Sequence, residues 1–517
     1  MKRELINLIA MIGLVLLCGA LVLGGLTAVL FIFPNLNFFG AKSVNERDTQ
    51  IVYSDPVLTD AFANGKFILD STGTKIEVKM SKADSDEEGT IVVNESATGI
   101  AFNSLNRTLI EWTQTIYNEE LYYRIKVLEP SGVVFKNKPT TVHINLPHRA
   151  TGDSFTHDFV LQNGYSDVNF SFADNTASST DALKIGSLVV ESATSVNIPA
   201  NSNISVGSIT VNANKTKLVC QSPISGDVIV TGESGKQTIN TEIGGKVEIS
   251  GNNNDFSGDS AGDVKFECLN GRLSMNQVDS IYVHTLDAAV NVGSVQGGAE
   301  VRTVNGNFNA DKIVGGLKFV AGYIDKPVAT AVLTVDELSG NVDVKNYGVG
   351  SINLSKVNGN VDINSSQTNG DDINVEFADA ASNCSVTVLG YDGDINIKGI
   401  NGIASIEVLN WQNGAGAANV NLHFNHVVGE SKIWTGGYVS GHHEWGNVNI
   451  SLDNTCNNFN LYVYGASSTK AASKYKFNDN KLTNSTEAEL VANEVINKSG
   501  SVSGAVHVYS KQTVSLF

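Results

Sequence analysis

The 517-residue sequence predicts an all-β protein: a parallel β-solenoid of the right-handed type, made of short Gly-initiated strands and preceded by one transmembrane helix. Three observations predict it. A unit of Gly, polar, apolar, polar, apolar recurs from about residue 181 onward. No long helical periodicity runs between residues 51 and 465. One uncharged apolar run near the N-terminus has spanning length.

The run is residues 5–33, LINLIAMIGLVLLCGALVLGGLTAVLFIF, and Lys2 and Arg3 precede it. As a helix it would extend about 43 Å, more than the roughly 30 Å hydrocarbon core. A cleaved signal peptide normally has an apolar region of only about 7–15 residues and a small-x-small cleavage site. Here the nearest candidate, Phe39-Gly40-Ala41, has a bulky residue at −3. A lipoprotein anchor at Cys18 would need small residues before it, where Val15-Leu16-Leu17 stands. An uncleaved signal anchor fits best. Residues 1–4 are then a cytoplasmic tip and the C-terminal body is extracellular, attached to the cell membrane by a single pass through residues 5–33.

Residues 34–50 read as a juxtamembrane linker, and residues 51–180 as a membrane-proximal β region leading into the solenoid. In the latter, LYYRIKVL at 121–128, TVHINL at 141–146 and KIEVKM at 75–80 alternate with period two. The solenoid is expected over 181–465. Its clearest copies are GDVIV at 226–230, GKVEI at 245–249, GDVKF at 262–266, GNVDV at 340–344, GNVDI at 359–363 and GNVNI at 446–450. Apolar residues two apart share one strand face, and a five-residue strand cannot bury that face alone. Stacking coil on coil buries it and pairs the backbone. The leading Gly is read as the corner residue. An antiparallel sandwich array would carry longer strands at regular spacing. Residues 466–517 lose the rhythm and are read as a C-terminal cap, which a solenoid end needs against end-to-end association.

Composition agrees. There are 49 glycines, above the roughly 7% of average proteins, 56 asparagines and only 8 prolines, a mix suited to tight turns. The net charge of −18 excludes a nucleic-acid-binding surface. Five cysteines without a CxxC pair exclude a zinc ribbon and a disulfide scaffold. Whether any of them pair stays open at this level.

VRTVNGNF at 301–308, LSGNVDV at 338–344 and VNGNVDI at 357–363 resemble the repeats of a bacterial family of adhesin-like proteins. VHINLP at 142–147 is similar to its strand-then-Pro entry into the solenoid. The resemblance covers most of residues 120–465. It implies an N-terminal membrane segment, an exported β-solenoid and no catalytic residues.

Candidate chemistry is sparse, and no cofactor or metal is expected. Asp343 and Asp362 occupy equivalent repeat positions, as do Asn341 and Asn360. Stacked carboxylates suit a cation, but Ca²⁺ needs six to eight oxygens, so a solvated ladder is preferred. A carbohydrate-active β-helix enzyme needs converging carboxylates or a carboxylate with a basic partner, and no motif supplies them. His423 and His426 lie three apart on a strand and face opposite sides. The unusual segment is IWTGGYVSGHHEWG at 433–446. Its Trp434, Tyr438, His442, His443 and Trp445 form the candidate ligand-contact loop, either an aromatic platform or rings packed on the solenoid wall. The reading is a non-enzymatic, adhesin-like protein of the bacterial cell surface. It displays a rigid surface to a cell-wall glycan, a host glycan or a protein. A structural or sensory envelope component is the alternative.

Overall fold

The computed structural model describes residues 183–200, 204–323 and 501–517 without a break and most of 330–471. It also describes the strands between residues 43 and 173, those at Asn478–Asp479 and Leu490–Ile496, and a few positions of the N-terminal run. In that run, residue 14 and residues 16–21 are helical. Among the described residues no helix is long and apolar enough to cross a membrane; most of the expected span lies outside them. The chain divides into two compact units, Met1–Leu183 with Ala193–Asn197, and Lys184–Ser192 with Ile198–Phe517.

The first unit mixes strand directions. Ser43–Tyr53, Gly89–Ile100 and Thr140–Leu146 run antiparallel in that order. Ile76–Lys82 then pairs parallel with Thr140–Leu146 and with Asp167–Ala173. A second group places Lys66–Ser71 parallel between Leu121–Val127 and His157–Gln162, with Thr108–Gln114 antiparallel at its edge. The alternating segments expected around 75–80, 121–128 and 141–146 are therefore strands. Their inward residues join an aromatic core in which Phe67 lies 5.4 Å from Tyr123 and 5.3 Å from Phe159, and Phe170 meets Phe159 edge-on.

The second unit is the parallel β-solenoid. Each coil contributes one strand to each of two parallel stacks. Val228–Val230, Val247–Gly251, Leu317–Ala321, Val342–Asn346 and Val361–Ser365 belong to the first stack. Asn307–Ile313, Leu333–Ser339, Ile352–Asn358 and Ile373–Phe377 belong to the second. The Gly-initiated unit serves both stacks: GNVDV and GNVDI lie in the first, GSINL at 350–354 in the second. The step of nine or ten residues is thus half a coil, and the 19-residue offset is a whole one. In longer strands of the second stack the final residues make a further inward row, Ala261, Val278, Val295 and Ile313. Inward positions are Val, Ile, Leu and Phe at nearly zero exposure, and each such burial contributes roughly 1.5–3 kcal/mol.

The leading glycines stand at bends between strands, as corner residues, but most of them do not supply a positive φ. The conformation of Gly226, Gly359 and Gly446 is one any residue adopts; among the leading glycines with a left-handed φ is Gly340 (φ 136°). What they need is space. A Cβ on Gly359 would overlap the carbonyl oxygen of Gly340 one coil below, and one on Gly446 would overlap that of Ala418. The polar residue after the glycine also has a task. The side-chain oxygen of Asp227 accepts the Lys246 N–H at 3.0 Å; Asn341 accepts that of Asn360 at 3.1 Å, and Asp394 that of Asn419 at 2.7 Å. At these rungs the side chain caps a backbone donor of the next coil.

Strand order departs from chain order at the C-terminal end. Gly504–Tyr509 lies between Gly429–Thr435 and Phe459–Tyr464, parallel to both. Likewise Thr513–Leu516 lies between Val448–Leu452 and Ser468–Ala471. The last coil of the chain is inserted beneath an earlier one. Leu490–Ile496 covers the outer side of Phe459–Tyr464 in the antiparallel sense.

Candidate functional site

Of the candidate contact loop, Tyr438, His442, His443 and Trp445 lie outside the described residues; Trp434 is the penultimate residue of the strand Gly429–Thr435. Parallel register stacks its ring on residues remote in sequence. Trp434 meets Tyr509 at 4.0 Å and 11°, and Tyr509 meets Tyr464 at 4.5 Å and 9°. A second row beside it sets Tyr462 on His507 at 5.0 Å, and the Tyr464 hydroxyl is 3.0 Å from His507 Nδ1. Burial, then the neighbouring Tyr509 and Tyr462 and the Glu430 carboxylate, raise the Tyr464 phenol above its ordinary value. Both faces of Tyr509 are thus taken, by Trp434 on one side and Tyr464 on the other, and the stack joins three neighbouring rungs.

The second stack carries an amide ladder. Each Nδ2 of Asn374, Asn396, Asn421 and Asn449 donates to the Oδ1 of the Asn one coil back, at 2.8–2.9 Å, starting from Asn353. It borders a concavity of about 470 Å³ with Glu376, Lys398 and His423 on its wall. Donor and acceptor of each internal amide are satisfied within the ladder, as in stacked Asn arrays generally. Asp343 and Asp362 are likewise register partners in the first stack. Among the described residues no cluster of three or more His, Cys, Asp or Glu is arranged to hold a metal.

The outer face of the first stack has a groove of about 730 Å³. Two rows line it. One runs Glu248, Lys265, Tyr282, Glu300, Lys318, Asp343 on successive coils. The other begins at Lys246, Asp263 and Ser280 and continues through Gly298 and Gly316 to Asn341. The lysines are paired: Lys246 with Glu248 at 2.8 Å, Lys265 with Glu267 at 2.9 Å, and Lys318 with Glu300 at 3.3 Å, which also takes Arg302 at 2.8 Å. Hydrogen bonds from Arg302 and then Lys318 hold the Glu300 carboxyl below the usual glutamate range. The Ser280 hydroxyl donates to Asp263. Lys246, Glu248, Asp263, Lys265, Asn341 and Asp343 come from the Gly-initiated copies GKVEI, GDVKF and GNVDV, but sequence reasoning did not assemble the groove, because its residues are spread over six coils.

Cys220, Cys268, Cys384 and Cys456 are buried, packing as small apolar groups. Burial pushes Cys220 and Cys268 up to about 11. At pH 8 about a thousandth of such thiols is thiolate, the reactive form. Iodoacetamide at pH 8 should therefore leave both unlabelled in the folded protein and label them fully in denaturant. Native labelling at the rate of an exposed thiol would mean that the coils open readily.

No family model and no curated protein matches the sequence. Among solved structures, the chain is similar to a candidate adhesin from Parabacteroides merdae at 11% identity and a TM-score of 0.25, over 60% of this chain and 96% of that one. It is similar to a candidate cell adhesion protein from Clostridium sporogenes at 8% identity and a TM-score of 0.15, over 91% and 99%. A candidate adhesin from Parabacteroides distasonis matches at 13% identity and a TM-score of 0.17, over 73% and 97%.

Proposed function

We propose that this protein is a membrane-anchored, extracytoplasmic adhesin-like solenoid whose outer strand faces bind a surface polymer or protein without chemically changing it. The apolar run 5–33 behind Lys2 and Arg3 supports the anchor and the outward orientation of the body. The observation that carries the binding role is the groove on the first stack. Its side chains stand on successive strands, its lysines are paired with carboxylates while Asp263 and Asp343 carry no salt bridge among the described residues, and it has one aromatic ring in its central row. Polar groups held in strand register around a ring suit recognition, since the backbone that carries them is ordered before binding. The test is binding of the detergent-solubilised full chain to immobilised cell-wall polymers, host glycans and matrix proteins, with released products assayed in parallel. Saturable binding without product release is expected. Turnover of any polymer, or no binding to any surface, would overturn the reading.

A further inference from the structure

The two glycines on the groove floor differ in what the fold asks of them. Most glycines of the solenoid are required by the coil beneath: a Cβ on Gly297 would come within 2.8 Å of the Asp279 carbonyl oxygen, and one on Gly315 would overlap that of Gly297. Gly298 is otherwise. Its Cβ would meet a single atom, the Gly316 carbonyl oxygen, at an ordinary 3.5 Å, and its backbone conformation is open to any residue. Neither packing nor φ explains the missing side chain. Gly316 is nearly as open, with one neighbour at 3.2 Å. Their effect is outside the fold: the side-chain row stops after Ser280 and resumes at Asn341, leaving a recess at the rungs of Glu300 and Lys318, beside Tyr282.

Tyr282 is the one ring in its row. Of its neighbours on the adjacent rungs, Lys265 bonds Glu267 in the next row, on the side away from the glycines, and Glu300 bonds Arg302 in that row as well as Lys318 along its own. No stacked ring partner covers it among the described residues, in contrast to Trp434 and Tyr509. The recess thus combines an aromatic ring, a floor without side chains, and a rim of hydroxyl, amide and carboxylate groups from Ser280, Asn341 and Asp343. Six rungs at about 4.8 Å spacing give the groove a length of roughly 24 Å.

We infer that this recess is a binding subsite for a neutral oligosaccharide, one pyranose ring lying against Tyr282 over Gly298 and the chain following the groove along the stack. The chemistry selects this class. A pyranose ring offers C–H groups to an aromatic face and hydroxyls to planar polar groups. The lysines at the groove are paired with carboxylates, so a polyanionic glycan finds no unspent cation there, and the net charge of −18 repels it further. The inference rests on the adhesin-like reading and assigns it a place and a ligand class.

The test uses the full chain in detergent and three variants: Tyr282→Ala, Gly298→Leu and, away from the groove, Trp434→Ala. Short neutral oligosaccharides of glucose, mannose, galactose and N-acetylglucosamine are the probes, with hyaluronate as the acidic arm, measured by titration calorimetry. At least one neutral probe should bind, with weak dependence on salt. Tyr282→Ala and Gly298→Leu should each weaken it about tenfold or more, the size expected of a central contact. Trp434→Ala should bind as wild type. Gly298→Leu should keep the wild-type unfolding midpoint, because its Cβ has room, so lost binding would report a filled recess. Neutral probes bound equally by both groove variants, or hyaluronate bound in preference, would overturn the subsite. So would neutral probes that fail while the full chain still binds other surfaces, and that result would leave the adhesin-like reading standing. Failure of the full chain on every surface and probe would overturn both.

Discussion

Val508→Asp should release two segments of chain that are far apart in sequence. Val508 is fully buried in the strand Gly504–Tyr509, where it sits between Ile433 on one side and Val463 on the other. A carboxylate there has no partner and costs several kcal/mol, enough to expel its strand. Phe459–Tyr464 pairs with Gly504–Tyr509 on one edge and with Leu490–Ile496 on the other. It therefore reaches the body of the solenoid through the strand that the substitution ejects. Native-state hydrogen exchange should show amides 459–464 and 504–509 losing protection together, by about a thousandfold or more, while 342–365 stays protected. Such partial opening is characteristic of repeat folds, whose coils contact only their neighbours. Continued protection of 459–464 would mean that the earlier coil closes directly onto Gly429–Thr435 and that the inserted coil is dispensable.

The inserted coil marks the boundary of what the sequence makes legible. Within the solenoid, V-x-V alternation is enough to place Val342, Val344, Val361 and Ile363 inward and Asp343 and Asp362 outward, because strand periodicity is a local property. The match between SGNVDVKN and NGNVDINS gives the coil length for the same reason. Insertion of residues 504–516 is a choice of partner, and partner choice leaves no local trace. The aromatic ladder failed to appear for a related reason. In sequence Trp434 stands near Tyr438, His442 and Trp445, but the ring it stacks on is Tyr509, 75 residues further along the chain. One signal was present: Trp434 follows Gly429 by five residues, as Tyr509 follows Gly504. Equal distance from the leading Gly is equal height on the strand, and it predicts stacking better than proximity in sequence. The groove had part of such a signal, since Glu248, Lys265 and Asp343 each follow their leading Gly by three residues, but the recess beside Tyr282 had none. Tyr282 and Gly298 are ordinary residues until the register sets them on adjacent coils.

The leading glycines were legible as corner positions, and the second large effect follows from what keeps them glycine there. A turn that needed positive φ would tolerate Asn in place of Gly. A glycine required by close approach tolerates no Cβ at all. Gly359→Ala should accordingly destabilise the protein by about 1–3 kcal/mol or more, although the backbone conformation at that site suits alanine. The methyl group would overlap the Gly340 carbonyl oxygen, and relief requires the two coils to separate. Separation would lengthen the bond from the Asn360 N–H to the Asn341 side chain and the ladder from Val342 to Val361 next to it. Gly359→Asn should be no better than alanine, whereas a turn role would make it the milder change. Gly298→Ala supplies the contrast, since its Cβ meets only ordinary van der Waals contact and it should unfold with the wild type. Denaturant unfolding of the three variants, followed with hydrogen exchange at residues 340–365 because repeat folds need not unfold in one step, decides between the two accounts. A stable Gly359→Asn beside an unstable Gly359→Ala would restore the turn explanation. Instability of both beside a native-like Gly298→Ala would establish that coil spacing, set by the backbone-on-backbone contact at each leading glycine, is what the repeat motif encodes.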